Sequence, residues 1–154
     1  IVRCGSEQEP YYKGQFEEYQ LKYECIREFE LKVTVNKNSP LAALDILRKS
    51  DLEGYTEVIF TDRSRPAQEP SAQQNKIYVY ERAGRPIILS ERTDAYMLLD
   101  PVVPDILETY GLVQRRCADI TEAYKDFLIY RRDHKMSALD EMFIDGIMKS
   151  RDIK

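Results

Sequence analysis

Between Tyr19 and Val35 the sequence alternates apolar and polar residues, with one slip. Tyr19, Leu21, Tyr23 and Cys25 share one side, and Glu18, Gln20, Lys22 and Glu24 the other. After Ile26 the apolar set continues as Phe29, Leu31, Val33 and Val35. A period of two puts every second side chain on one face of a strand. The slip at Ile26 shifts that face by one residue, so the pattern predicts either one long bulged strand or two strands with a tight bend near Arg27. A helix over residues 16–28 competes, because Glu, Gln, Lys and Leu favour helix. Residues 29–35 read as strand in either case.

Turn residues at 36–39 and Ser39-Pro40 predict a helix start, with Leu41, Leu44 and Leu47 as its apolar stripe. Residues 55–60 read as a strand, and residues 63–75, a Pro/Gln/Ser stretch, as a mobile loop. Lys76–Tyr80 and Pro86–Leu89 read as a hairpin around Ala83-Gly84. Ser90–Leu99 and the stretch from Pro104 to Gly111 read as short helices. Ile120, Ala123, Tyr124, Phe127 and Leu128 follow the i, i+3, i+4, i+7, i+8 spacing of an amphipathic helix. Ser137 followed by Asp140 and Glu141 marks a last helix start, with Leu139, Met142, Phe143 and Ile147 on one face.

These elements imply an α+β fold. It has a small mixed or antiparallel sheet of about four to five strands, a helix after the first strands and a helical C-terminal third. Residues 1–15 lack periodicity and read as a flexible N-terminal arm; residues 16–154 read as a single domain. At 154 residues the chain has a one-domain length, and 43% hydrophobic with 32% charged residues is a globular composition.

The net charge is −4 and no stretch is strongly basic, so nucleic acid is a poor partner by composition. Three widely spaced cysteines without a C-x-x-C fit a soluble protein of a reducing compartment, the cytoplasm first. Val2-Arg3-Cys4-Gly5 resembles the end of a plastid transit peptide, which puts an organelle stroma or matrix beside it. No apolar run reaches the roughly 20 residues of a membrane span.

Nucleotide and zinc-protease motifs are absent, and the single histidine, His134, leaves zinc short of soft ligands. No metal and no cofactor is expected. On a continuous helix His134 and Cys117 would lie about 25 Å apart, out of reach as a base and nucleophile pair. Glu57, Asp62 and Lys76 lack the spacing of a metal-dependent nuclease.

Eleven tyrosines without a tryptophan are the most distinctive feature of composition. Tyrosine joins a large apolar body to a polar tip, the chemistry of many protein interfaces. Tyr11, Tyr12, Tyr19, Tyr23, Tyr78 and Tyr80 are the candidate contacts, with Arg131 and Arg132 as an anionic docking patch. The expected function is therefore a non-catalytic interaction module: an assembly factor, adaptor or subunit of a larger complex with a protein partner. An enzyme using only Asp, Glu, Arg and Tyr stands third. The alternative between them rests on Gly84-Arg85-Pro86-Ile87-Ile88-Leu89 followed by Tyr96 and Leu99. That stretch resembles the strand–helix segment of Phd/YefM-type antitoxins, and the resemblance implies a small DNA-binding regulator.

Overall fold

The computed structural model describes residues 1–60, 75–81 and 84–150. In chain order the first elements are β1 (Val2–Gly5), α1 (Glu9–Glu18), β2 (Leu21–Glu30), β3 (Lys32–Asn36), β4 (Ile46–Leu47) and β5 (Thr56–Phe60). They are followed by β6 (Lys76–Val79), α2 (Gly84–Ser90), β7 (Ala95–Leu99), α3 (Pro104–Thr109), β8 (Leu112–Cys117), β9 (Ala123–Arg131) and α4 (Ala138–Ser150). The chain forms two compact units, Ile1–Glu30 with Glu122–Lys154, and Leu31–Thr121.

The first unit holds a three-stranded antiparallel sheet in the order β1-β9-β2. The slip at Ile26 is a bulge within a single strand: Cys25 pairs with Phe127 and Arg27 with Asp126. Ile26, left without a pairing partner, is buried. The bulge thus lets Tyr23 face one side and Phe29, beyond it, sit in a separate ring stack with Tyr124. Phe16 from α1, Tyr23 from β2 and Phe127 from β9 form an aromatic core with ring centroids 5.2 to 6.0 Å apart. Arg3 makes a two-pronged ion pair with the buried Asp126, at 2.7 and 2.9 Å, so the one acid inside this sheet is neutralised and hydrogen-bonded.

The second unit is built on a six-stranded mixed sheet in the order β4-β8-β3-β7-β5-β6. β3 is antiparallel to both its neighbours, whereas the pairs β4–β8, β5–β7 and β5–β6 are parallel. Both faces of this sheet are covered. Val33, Val35, Leu47, Tyr96 and Cys117 belong to one core cluster, and Val58, Leu89, Ala95, Met97 and Leu112 to another. Asn36, at the end of β3, caps α2. Its side-chain amide donates to the carbonyls of Leu89 (3.3 Å) and Ser90 (2.7 Å), and its oxygen accepts from the Asn38 N–H (2.9 Å).

The small four- to five-stranded sheet with a helical C-terminal third is therefore corrected to nine strands in two sheets with four α-helices among the described residues. Each error has a local cause. Ala95, Tyr96 and Met97 are all buried, because consecutive residues of β7 face two different cores. A strand buried on both faces loses alternation and cannot be told from a buried helix by period. The same holds for β9, where Asp126, Phe127 and Leu128 are buried in succession.

Residues 84–90 are helical rather than extended, since proline fits the first turn of a helix, where its missing N–H costs nothing. The helix expected after Ser39-Pro40 is a single 3-10 turn, Pro40–Ala43. Leu41 and Leu47 are buried, but Leu44 between them is exposed. Residues 1–15, read as an arm, hold β1 and most of α1. The loop expected over residues 63–75 lies almost wholly outside the described residues. The strand at 56–60 and the helix from Pro104 stand where the pattern put them; Gly111, at φ +62, ends the latter in the left-handed region that glycine tolerates.

The last helix also starts as predicted. Ser137 and Asp140 close a reciprocal cap, with Asp140 Oδ2 accepting from the Ser137 N–H (2.8 Å) and hydroxyl (2.7 Å) and the Asp140 N–H donating to Ser137 Oγ (3.2 Å). His134 Nε2 lies 3.1 Å from the same carboxylate oxygen. The bonds from Ser137, then that from His134, pull the Asp140 carboxyl down from 3.8 to about 2. A depressed folded-state value stabilises the helix above the unfolded value and loses that contribution as pH falls through about 2. The α4 amide signals should thus show fraying between pH 4 and 2, roughly the span between those two values. Ser137→Ala should move the loss to higher pH, and two-dimensional NMR across an acid titration reads both.

Candidate functional site

A concavity of the second unit lies between α2, α3 and the sheet and measures about 190 Å³. Its floor is Thr34 on β3 and Leu112 on β8, both buried. One wall is α3, where Ile106 and Tyr110 stand one helical turn apart and remain 49% and 37% exposed at the mouth. Another is the N-terminal end of α2, which contributes Arg85 and Pro86.

A single side chain fixes the approach to α3. Gln114 on β8 donates from Nε2 to the Asp100 carbonyl (2.9 Å) and to Thr34 Oγ1 (3.0 Å), and its Oε1 accepts from the Val102 N–H (3.0 Å). The chain from Asp100 to Val103 is thereby pinned against the sheet before Pro104 opens the helix. Val102, one of the lining residues, is held at a fixed depth. Arg85 stacks its guanidinium over the Phe60 ring, 5.1 Å from the centroid, so its charge is carried on a defined surface. Among the described residues that line the cavity, Arg85 alone is charged.

The residues singled out from sequence are scattered. Tyr11 and Tyr19 are exposed on the first unit, whereas Tyr12 and Tyr23 pack into or against its aromatic core. Tyr78 lies on β6, half-buried, and Tyr80 just beyond it is exposed. Arg131 ends β9 and pairs with Asp133 at 3.0 Å; Arg132 is exposed in the following turn. Both stand at the end of a strand. The six tyrosines thus divide between the two units, and none of them lines the cavity.

Catalytic pairings fare no better. Cys117 is fully buried in β8, in the second unit, and His134 is on the first, engaged with Asp140. Glu57 is half-buried on β5, where burial pushes its carboxyl up and Lys76, opposite it on β6, pulls the other way. Asp62 lies outside the described residues. Among the described residues no group of three or more His, Cys, Asp or Glu comes together to hold a metal, and no helix is long and apolar enough to cross a membrane.

The antitoxin-like reading of residues 84–99 fails on geometry. Gly84–Ser90 is helix and Ala95–Leu99 is strand, the reverse of the order that the resemblance implies. Thr34, Gln114 and the lining residues of α3 were not found from sequence. They span residues 34 to 114 with no motif among them, and only the paired prolines Pro101 and Pro104 hinted at a fixed segment.

No family model and no curated protein matches the sequence. Solved structures do match the fold. The effector-binding domain of QuiR in complex with shikimate aligns at a TM-score of 0.59 and 21% identity, over 86% of this chain and 66% of that one. The regulatory domain of MetR, a LysR family regulator from N. meningitidis, aligns at 0.56 and 14% identity, over 86% of this chain and 64% of that one. The oxidized form of OxyR aligns at 0.54 and 13% identity, over 97% and 79%. The chain thus spans a little under two thirds of the first two structures. The expectation of an assembly factor, adaptor or complex subunit is overturned by this likeness: the solved structures that share the α/β two-sheet fold include an effector-binding domain and the regulatory domain of a LysR family regulator.

Proposed function

We propose that the chain is the small-molecule-sensing part of a transcriptional regulator. The observation that carries the reading is the fold, shared over 86% of the chain with a domain solved as an effector-binding domain with its ligand in place. A sensing domain reports a ligand because the ligand binds one state better than the others and shifts the population toward it. The net charge of −4 supports a division of labour in which the DNA contact is not made by these residues.

The reading is tested by a thermal-shift screen of small metabolites on the 154-residue chain. A true effector at a hundred times its dissociation constant stabilises by about 2.7 kcal/mol, which is several degrees of melting temperature. A screen in which no compound moves the transition, or binds by ligand-observed NMR, counts against the sensing role.

A further inference from the structure

We infer that α3 is a hinged wall of the cavity, held out by the Gln114 side chain and poised to fall inward when that hold is broken. The inference concerns two states of the second unit itself and stands apart from the sensing role and from the identity of any ligand.

The two ends of the wall are fastened differently. At its C-terminal end Gly111 sits at φ +62, and its carbonyl accepts from the Lys37 N–H at 2.9 Å. That bond joins backbone to backbone where β8 begins, so this end is a fixed pivot. At the other end the pairing of β7 with β3 stops at Leu99, opposite Lys32. Beyond it Gln114 reaches across from β8 to the Asp100 carbonyl (2.9 Å) and the Val102 N–H (3.0 Å). Both are side-chain bonds, which can exchange partners without disturbing a strand. The third bond of Gln114, to Thr34 Oγ1 at 3.0 Å, ties it to the floor and not to the wall.

Packing does not hold the wall out. No residue of α3 is buried, and Ile106 is 49% exposed. Beneath the helix lies about 190 Å³ of space, floored by Thr34 and Leu112. Apolar groups that face a void forgo the contacts they would make across it. An inward swing about Gly111 would press Ile106 and Leu107 onto Leu112 and bury apolar surface. Against that swing stand the bonds of Gln114, since an amide left unpaired away from water is costly. Gln114 is therefore a positioning residue that acts as a catch. While it is made the cavity exists, and when it is broken the cavity closes. A small polar group that takes over the Gln114 amide removes the cost of breaking it and shifts the population to the closed state.

The test is xenon binding to the 154-residue chain, followed by methyl NMR, because xenon reports apolar free volume of about this size. In the native chain xenon should shift the methyl signals of Ile106, Leu107 and Leu112 in a saturable way. Gln114→Met conserves volume and removes the hydrogen bonds. It should weaken xenon binding about tenfold and strengthen the cross-peaks from the Ile106 and Leu107 methyls to Leu112. Thr34→Val leaves both bonds to the approach of α3 in place and should not weaken binding. Amide protection of β3 and β8 reports whether each variant is folded. Gln114→Glu keeps the acceptor for Val102 and loses the donor to Asp100, so it should weaken binding by less than Gln114→Met and carries the test if that variant does not fold.

Undiminished xenon binding in the folded variant at position 114 would show that the wall stays out without its catch, and the inference would fall. It would fall equally if Thr34→Val weakened binding as much, or if xenon left the signals of Ile106, Leu107 and Leu112 unmoved in the native chain.

Discussion

Phe127→Ala should destabilise the first unit by about 3–5 kcal/mol, the range for deleting a buried aromatic ring. Phe127 is 2% exposed on β9, the middle strand of its sheet, with Phe16 and Tyr23 both 6.0 Å away between centroids. Removing the ring leaves Phe16 on α1 and Tyr23 on β2 facing a void that neither can close, because each is held by its own backbone element. The expected signature is local. Amides of β2 that hydrogen-bond to β9 should lose protection from hydrogen exchange, by a factor of roughly a hundred or more at this cost. Tyr11→Ala, on a ring that is 65% exposed, is the control and should change protection little. Unchanged protection of β2 in Phe127→Ala would mean that the aromatic cluster does not hold the sheet.

Leu89→Ala is the second large effect, about 2–5 kcal/mol and confined to the second unit. Leu89 is fully buried and closes α2 onto Val58, Met97 and Leu112. Its truncation removes packing and loosens the turn whose carbonyls Asn36 caps. Urea unfolding followed by tyrosine fluorescence and by amide exchange would separate the units, since a chain of two compact units need not unfold in one step. Equal loss of protection in both sheets would show that they unfold together. An unchanged midpoint would contradict the packing of α2.

What was legible in the sequence depended on whether a segment has one wet face. β2 keeps one, so its alternation and even the bulge at Ile26 could be read. α3 and α4 announce themselves through Pro104 and the Ser137–Asp140 cap, which are local chemistry. β7 and β9 have contiguous buried residues, and their apolar spacing matched a helix by coincidence. The function was less legible than the fold. Surface tyrosines drew the eye because they are numerous, yet the described lining of the cavity is mostly Leu, Ile and Val, and its one tyrosine, Tyr110, was not among those singled out. Its defining contact, Gln114 to Thr34, joins residues that are far apart in the chain. Nothing at either position alone sets it apart from any other strand residue.

The order of the strands also dictates an order in time. β1 and β2 both pair with β9 and not with each other, so the first sheet does not exist until residues 123–131 have been made. Residues 31–121, by contrast, are one uninterrupted stretch that carries all six strands of the other sheet. On a ribosome adding about 5–20 residues per second, β2 is left without its partner for roughly 5–20 s after it emerges. During that interval Leu21–Glu30 presents an unpaired, ten-residue strand to whatever else is being synthesised nearby. The stretch most in need of a chaperone is therefore Leu21–Glu30, and the arrival of residues 123–131 ends the danger.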